Sequence, residues 1–230
     1  MKSFLLFERV KTFYRKYGFK ETLRRFLARI TLKNRQVFSY VDLEAMGQAI
    51  VPLISELELA EYAGEKDISQ KDMERLIELI GKENTKYRIK NGFSRKAVLW
   101  CLKLDGIIVS TCWSIASNPI QRLPLPLMKR DVHIFDVETY PEHKGQGLAP
   151  MLINAVLERL GQYGFSRAYI ATEVWNKAFL SCLRKTYFQE IGVARTFYVL
   201  GRDVAIWRST GKPSVQNESV PYPAHAKLHK

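Results

Sequence analysis

The sequence predicts an α/β chain of the α+β kind: a mixed, mostly antiparallel central sheet flanked by helices, preceded by a basic, amphipathic helical extension. Three observations carry this reading. Residues 133–139 read as a strand, two closely spaced glycines follow at Gly145 and Gly147, and Met151, Leu152, Ala155, Val156 and Leu160 then recur at helical spacing up to Gly161 and Gly164. Residues 97–102 and 107–113 are apolar runs joined through Asp105-Gly106, the strongest hairpin signal in the chain. The first 36 residues hold eleven Lys and Arg against two Glu, so +9 of the formal charge of +13 lies there.

The N-terminal arm reads as two amphipathic helices broken at Gly18. Phe19, Leu23, Phe26, Leu27 and Ile30 fall on one stripe, and Lys20, Arg24, Arg25 and Arg29 on the other side. Two readings stay open: a helix lying among anionic lipid headgroups, or one packed on its own domain with a solvated basic face. Nucleic acid has only the charge in its favour. Residues 36–43 and 53–62 then read as strands, with Pro52 at the entrance of the second. Ser69 can cap a helix whose apolar face is Met73, Leu76, Ile77 and Ile80, and a more polar helical stretch runs on to Ile89.

Beyond the hairpin, residues 117–130 carry Pro119, Pro124 and Pro126 among Ile120, Leu123, Leu125 and Leu127. That excursion is longer than a hairpin needs, so it either walls an acceptor site or covers a sheet edge. Residues 168–172 are a further strand, and residues 197–207 supply a last strand pair turning near Gly201-Arg202-Asp203. Residues 209–230 lack periodicity and read as a disordered tail. The expected division is an arm at 1–35, one domain at 36–208 and a tail at 209–230.

Composition narrows the class. At 230 residues, 47% hydrophobic and 26% charged, the chain is ordinary globular protein. Cys101, Cys112 and Cys182 lack metal-ligand spacing, so neither a disulfide framework nor a zinc site is expected, and a reducing, cytoplasmic location is. His225 and His229 sit in a polar tail without further ligands, so no metal is expected there. Residues 4–7 are too short an apolar run for a signal peptide, and no run approaches the roughly 20 residues that span a bilayer.

The glycine loop reads as a phosphate cradle. Bare backbone at Gly145 and Gly147 lets successive N–H groups converge on an anion, and the following helix adds its positive N-terminal end. The run Pro141-Glu142-His143-Lys144-Gly145-Gln146-Gly147-Leu148-Ala149 resembles the acyl-CoA signature of the GNAT superfamily of N-acetyltransferases, with Lys144 where Arg or Gln is usual. Asn176 stands where that family opens its next helix, and Tyr187-Phe188 where the helix usually ends in Gly-Phe. The resemblance covers roughly residues 69–208. It implies acetyl-CoA as co-substrate, with Val137 and Thr139 contacting the pantetheine arm and thioester, Lys144, Gly145, Gln146, Gly147, Leu148 and Ala149 holding the pyrophosphate, and Asn176 bonding the arm. A dinucleotide site fits worse, since that pattern needs a third glycine and an acidic residue about 20 positions on, within a βαβ unit.

Direct acyl transfer to an amine needs a positioned thioester, a donor to the developing oxyanion and a base, because most amines are protonated near neutral pH. Glu138 and Asp136 are the candidate bases, placed two residues apart on one strand face, with Glu138 preferred. The position at which many relatives carry an acidic Tyr is Leu183; Tyr187, four residues on, would lie one turn along the same helical face and could substitute. Cys182 reads as a buried thiol and His133 as structural. The function expected from the resemblance is an acetyl-CoA-dependent N-acetyltransferase acting on a small-molecule, lipid-linked or nucleotide-linked amine, an amino sugar included, with the arm at an anionic membrane surface. The alternatives are a non-catalytic acyl-CoA-binding module and an acyltransferase for longer chains.

Overall fold

Alternating burial on both sides of a continuous sheet sets the architecture, seen in a computed structural model that describes residues 18–20, 35–46, 56–116, 128–199 and 202–210. The strands are β1 (Arg35–Asp42), β2 (Leu57–Tyr62), β3 (Val98–Leu104), β4 (Ile107–Ala116), β5 (Asp131–Thr139), β6 (Arg167–Glu173), β7 (Gln189–Val199) and β8 (Arg202–Ser209). They form one sheet in the order β2-β3-β4-β5-β6-β1-β7-β8. Every pairing is antiparallel except β5 with β6. The mixed, antiparallel-dominated sheet expected from the sequence is therefore the one observed.

Among the described residues the helices that cover the sheet are α1 (Gln70–Ile80), α2 (Lys82–Ser94), α3 (Leu148–Gln162) and α4 (Lys177–Leu183). Ser69 caps α1 as expected, its Oγ accepting from the Asp72 N–H at 3.1 Å. On one face Leu152, Ile153, Val156, Leu157 and Leu160 of α3 pack with Trp100, Leu102, Ile134 and Ile170. On the other, Leu76, Leu79 and Ile89 of α1 and α2 pack with Leu99, Cys101, Ile108, Trp113 and Ile115. Each such side chain contributes roughly 2 kcal/mol of burial.

Three boundaries differ from the sequence reading. The helix expected to stop at Ile89 continues to Ser94, because Gly92 lets the helix lie against the Trp113 ring; a Cβ there would come within 2.4 Å of it. The strand expected from residue 53 begins at Leu57, and residues 47–55 lie outside the described residues. The helix after Asn176 ends at Leu183, so Tyr187 is not one turn further along it. The proline-rich stretch at 117–127, the tail from 211 and the arm apart from Gly18, Phe19 and Lys20 also lie outside the described residues.

Strand β1 enters the middle of the sheet, between β6 and β7, with Val37, Phe38 and Val41 buried. It runs antiparallel to β6, pairing Gln36 with Glu173. Its first residue therefore lies at the end of the sheet where β5 and β6 finish.

Candidate cofactor and acceptor site

The parallel strands β5 and β6 part company halfway. Their ladder covers four pairs, from Asp131 with Arg167 to Ile134 with Ile170, while β5 runs on to Thr139 and β6 to Glu173. A cleft opens between them at their C-terminal ends, where α/β sheets commonly take ligands. On its other edge β5 stays paired with β4: the Tyr140 N–H donates to the Val109 carbonyl at 3.0 Å, and Thr111 pairs with Glu138. Backbone groups alternate in direction along a strand, so the N–H and C=O groups of Val137 and Thr139 face the cleft.

A bulge makes this possible. Trp113 pairs with Phe135 and Thr111 with Glu138, so Cys112 alone faces both Asp136 and Val137. The extra residue is Asp136, with φ of 51°, a conformation an Asp tolerates better than most residues. The insertion shifts the alternation by one. Phe135 packs on the α1–α2 face and Val137 on the α3 face, while Glu138 turns back toward α2 and pairs with Arg88 at 3.1 Å. The expectation of two carboxylates sharing one strand face is thus corrected: Asp136 is the exposed bulge residue, and Glu138 has an arginine as its partner.

After Tyr140 the chain makes one 3-10 turn at Pro141–His143, then extends through Lys144. Gly145 and Gly147 both take positive φ, 83° and 81°, which is why glycine is required at each. A Cβ at either would meet nothing within 4 Å, so open space lies over the backbone. Gly147 is the N-cap of α3 with no side-chain cap, and the first turn, which includes Leu148 and Ala149, holds no acidic residue. Among the described residues the N–H groups at this helix end thus have no side-chain acceptor, the condition an anion needs. Gln146 lies over the turn, donating from Nε2 to the Glu142 carbonyl at 3.3 Å.

Strand, bulge, open cleft and glycine cradle coincide with a sequence profile, that of the acetyltransferase (GNAT) family, which matches residues 61–186. The chain belongs to this family. Among solved structures it is similar to an acetyltransferase from Colwellia psychrerythraea (16% identity, TM-score 0.48, 69% of this chain and 53% of that one). It is also similar to a tandem GNAT protein from the clavulanic acid biosynthesis pathway (13%, 0.49, 68% and 50%) and to an aminoglycoside acetyltransferase from an uncultured soil metagenomic sample (17%, 0.42, 59% and 90%). The chain thus spans about half the length of the first two. No curated protein matches it in sequence.

The other residues singled out for this GNAT chain divide by position. Asn176 caps α4, its Oδ1 accepting from the Phe179 N–H at 3.3 Å. Leu183 is buried in the α3-side core, and Tyr187 packs partly buried against the same core beyond the helix end. Burial pushes the Cys182 thiol up to about 11. His133 stacks on Phe135 at 5.6 Å, and neither ring nitrogen has a hydrogen-bond partner. Burial, helped by Arg95, pushes its imidazole down to about 4.

Sequence reading missed three residues that shape the site. Arg88 was an anonymous charge on a polar helix until the fold laid it beside Glu138. Arg75 and Tyr140 stack, the guanidinium 3.9 Å from the ring centroid. Only Tyr140's place, immediately before the loop, hinted at its role. Among the described residues no group of His, Cys, Asp and Glu could hold a metal, and no helix is long and apolar enough to cross a membrane.

Proposed function

We propose that this GNAT chain transfers an acetyl group from acetyl-CoA to an amine by direct attack. The observation that supports it most is the succession of cleft and cradle: β5, whose Val137 and Thr139 groups face the opening beside β6, runs on into the glycine loop that ends at the uncapped first turn of α3. The cradle suits a diphosphate through the amides of Gly145, Gln146, Gly147, Leu148 and Ala149, with Lys144 adding positive charge. The groups of Val137 and Thr139 suit an extended amide-bearing arm, and Asn176 stands at the next helix start. Acetyl-CoA supplies the activated thioester carbonyl. Glu138 accepts the amine's proton directly or through water, oriented by Arg88, while Asp136 at the bulge is the second candidate. Tyr187 is the nearest counterpart of a proton donor to the departing sulfur.

The acceptor class proposed is an amine at an anionic membrane surface, an amino sugar on a lipid or nucleotide carrier included, in the cytoplasm and at the inner face of the membrane. Its support is the basic arm, which joins β1 at the cleft end of the sheet, and the exposure of Phe19 on the arm's apolar stripe. Thiol release from acetyl-CoA across amine classes, beside calorimetry with CoA, tests the reading. Glu138→Gln is expected to lower kcat about 100-fold while CoA still binds. An unchanged kcat assigns the base elsewhere. A second reading, an acyl-CoA-binding module without catalysis, is favoured by one observation: Leu183 fills the position of the usual acid, and Tyr187 lies off the helix. CoA binding with no thiol release from any acceptor would select it.

A further inference from the structure

Arg75 sits at a junction of three elements. It lies on α1, its side chain mostly covered, and its guanidinium spends each nitrogen on a different acceptor. Nε donates to the Ile108 carbonyl of β4 at 3.3 Å, Nη1 pairs with Glu78 of its own helix at 2.8 Å, and Nη2 pairs with Glu142 at 2.5 Å. The plane also lies over the Tyr140 ring, and the Tyr140 hydroxyl donates back to the Arg75 carbonyl. Tyr140 follows β5 directly, is 1% exposed, and its N–H is tied to Val109. Glu142 is the middle residue of the turn that precedes the glycines.

We propose that Arg75 is the positioning residue of the cofactor loop, fixing the Pro141–His143 turn from which the chain runs on to the Gly145 and Gly147 amides. The proposal rests on the reading of that loop as the CoA diphosphate cradle. A rigid planar fork with separate donors can hold β4, α1 and the loop in one geometry; a lysine, with a single point of charge, cannot. The turn itself has few internal ties: His143 N–H to the Tyr140 carbonyl, Lys144 N–H to the Pro141 carbonyl, and Gln146 to the Glu142 carbonyl. The Tyr140 and Glu142 contacts with Arg75 add side-chain ties from α1 to the backbone bond between Tyr140 and Val109 that joins this segment to the sheet. Converging amides bind an anion well only when they are held in place before it arrives, and a loop free to shift gives up that advantage.

Calorimetry with CoA on the full chain tests this, with thermal unfolding measured beside it. Arg75→Met, which keeps an apolar stem over Tyr140 and loses the fork, is expected to raise the Kd for CoA about tenfold, Arg75→Lys about threefold, and Glu142→Gln about fivefold. Because the pair acts as a unit, Arg75→Met with Glu142→Gln should bind no worse than Arg75→Met alone. The control is Arg167→Met, which breaks the Arg167–Asp131 pair (2.9 Å) at the opposite end of β5. It should lower the Tm and leave the Kd within about twofold of wild type, separating lost stability from lost positioning. Should Arg75→Met fail to fold, Arg75→Lys and Glu142→Gln decide alone. Folded variants that bind CoA like wild type, or a double variant whose loss is the product of the singles, overturn the proposal. A wild-type chain that does not bind CoA instead defeats the reading of the loop, a separable result.

Discussion

His133 and Gly147 show how single residues here carry measurable consequences. The buried imidazole stays neutral down to about pH 4, whereas in an unfolded chain it takes up a proton near its ordinary value. Between those values the unfolded state binds the extra proton, so stability rises with pH through this window and the contribution is complete above it. The gain from about pH 5 to about pH 7 should be about 2 kcal/mol, and His133→Phe, able to stack on Phe135, should abolish that part of the slope in urea unfolding. A slope unchanged by the substitution would mean the ring is hydrated. At Gly147, φ of 81° makes Ala strained by about 1 kcal/mol, yet no atom lies near the added methyl. Gly147→Ala should therefore fold with a Tm lower by a few degrees, while its CoA affinity falls about tenfold because the methyl enters the space the anion needs. A larger loss of stability than of affinity would contradict that order.

Elements were legible in the sequence where local chemistry decides them, and illegible where pairing does. Ser69, Gly147 and Asp105-Gly106 announce a helix start, a loop end and a hairpin from a few neighbouring residues, and all three stand where expected. The bulge at Asp136 has no such signal, because it is a mismatch between β4 and β5 and exists only when two strands are laid side by side. Its cost was the false pairing of Asp136 with Glu138. The same limit hid the anchoring of α1. Asp72 is 4% exposed and accepts from the Tyr62 hydroxyl at 2.7 Å, the Ser69 hydroxyl at 2.8 Å and Lys103 at 3.0 Å, which ties the helix start to β2 and β3. Burial alone would raise the Asp72 carboxyl, but these three donors outweigh it and hold it below the usual carboxylate range. A depressed folded value gives stability that is present above the ordinary carboxylate range and lost as pH falls through the folded value. Asp72→Ala should cost about 3 kcal/mol at neutral pH, since it strands the Lys103 charge, and should flatten acid unfolding in the lowest pH range. Equal acid sensitivity in the variant would place the titrating group elsewhere.

At the scale of the whole molecule the sheet order decides what the arm can do. Since β1 is an interior strand, flanked by β6 and β7, the fold includes residues well before the start of the family match at 61. A chain beginning at Arg35 keeps the strand and should fold and bind CoA. One beginning at residue 43 leaves β6 and β7 without their shared partner and should not fold. The arm of residues 1–34, with ten Lys and Arg against two Glu, precedes Arg35, which stands at the end of the sheet where β5 and β6 finish. At an anionic surface each basic residue contributes about 1 kcal/mol, so most of that net charge engaged would retain the protein on vesicles with about a third phosphatidylserine at low salt. Sedimentation should then carry down the full chain and leave the chain beginning at Arg35 in the supernatant. Raising the salt to about 0.5 M should release most of the bound protein, because screening shortens the reach of the surface potential. An arm packed on its own domain predicts the opposite pattern: both chains stay in solution at every salt concentration, and removal of the arm lowers the Tm. Binding by both chains alike would move the membrane contact to the folded domain and detach the acceptor proposal from the arm.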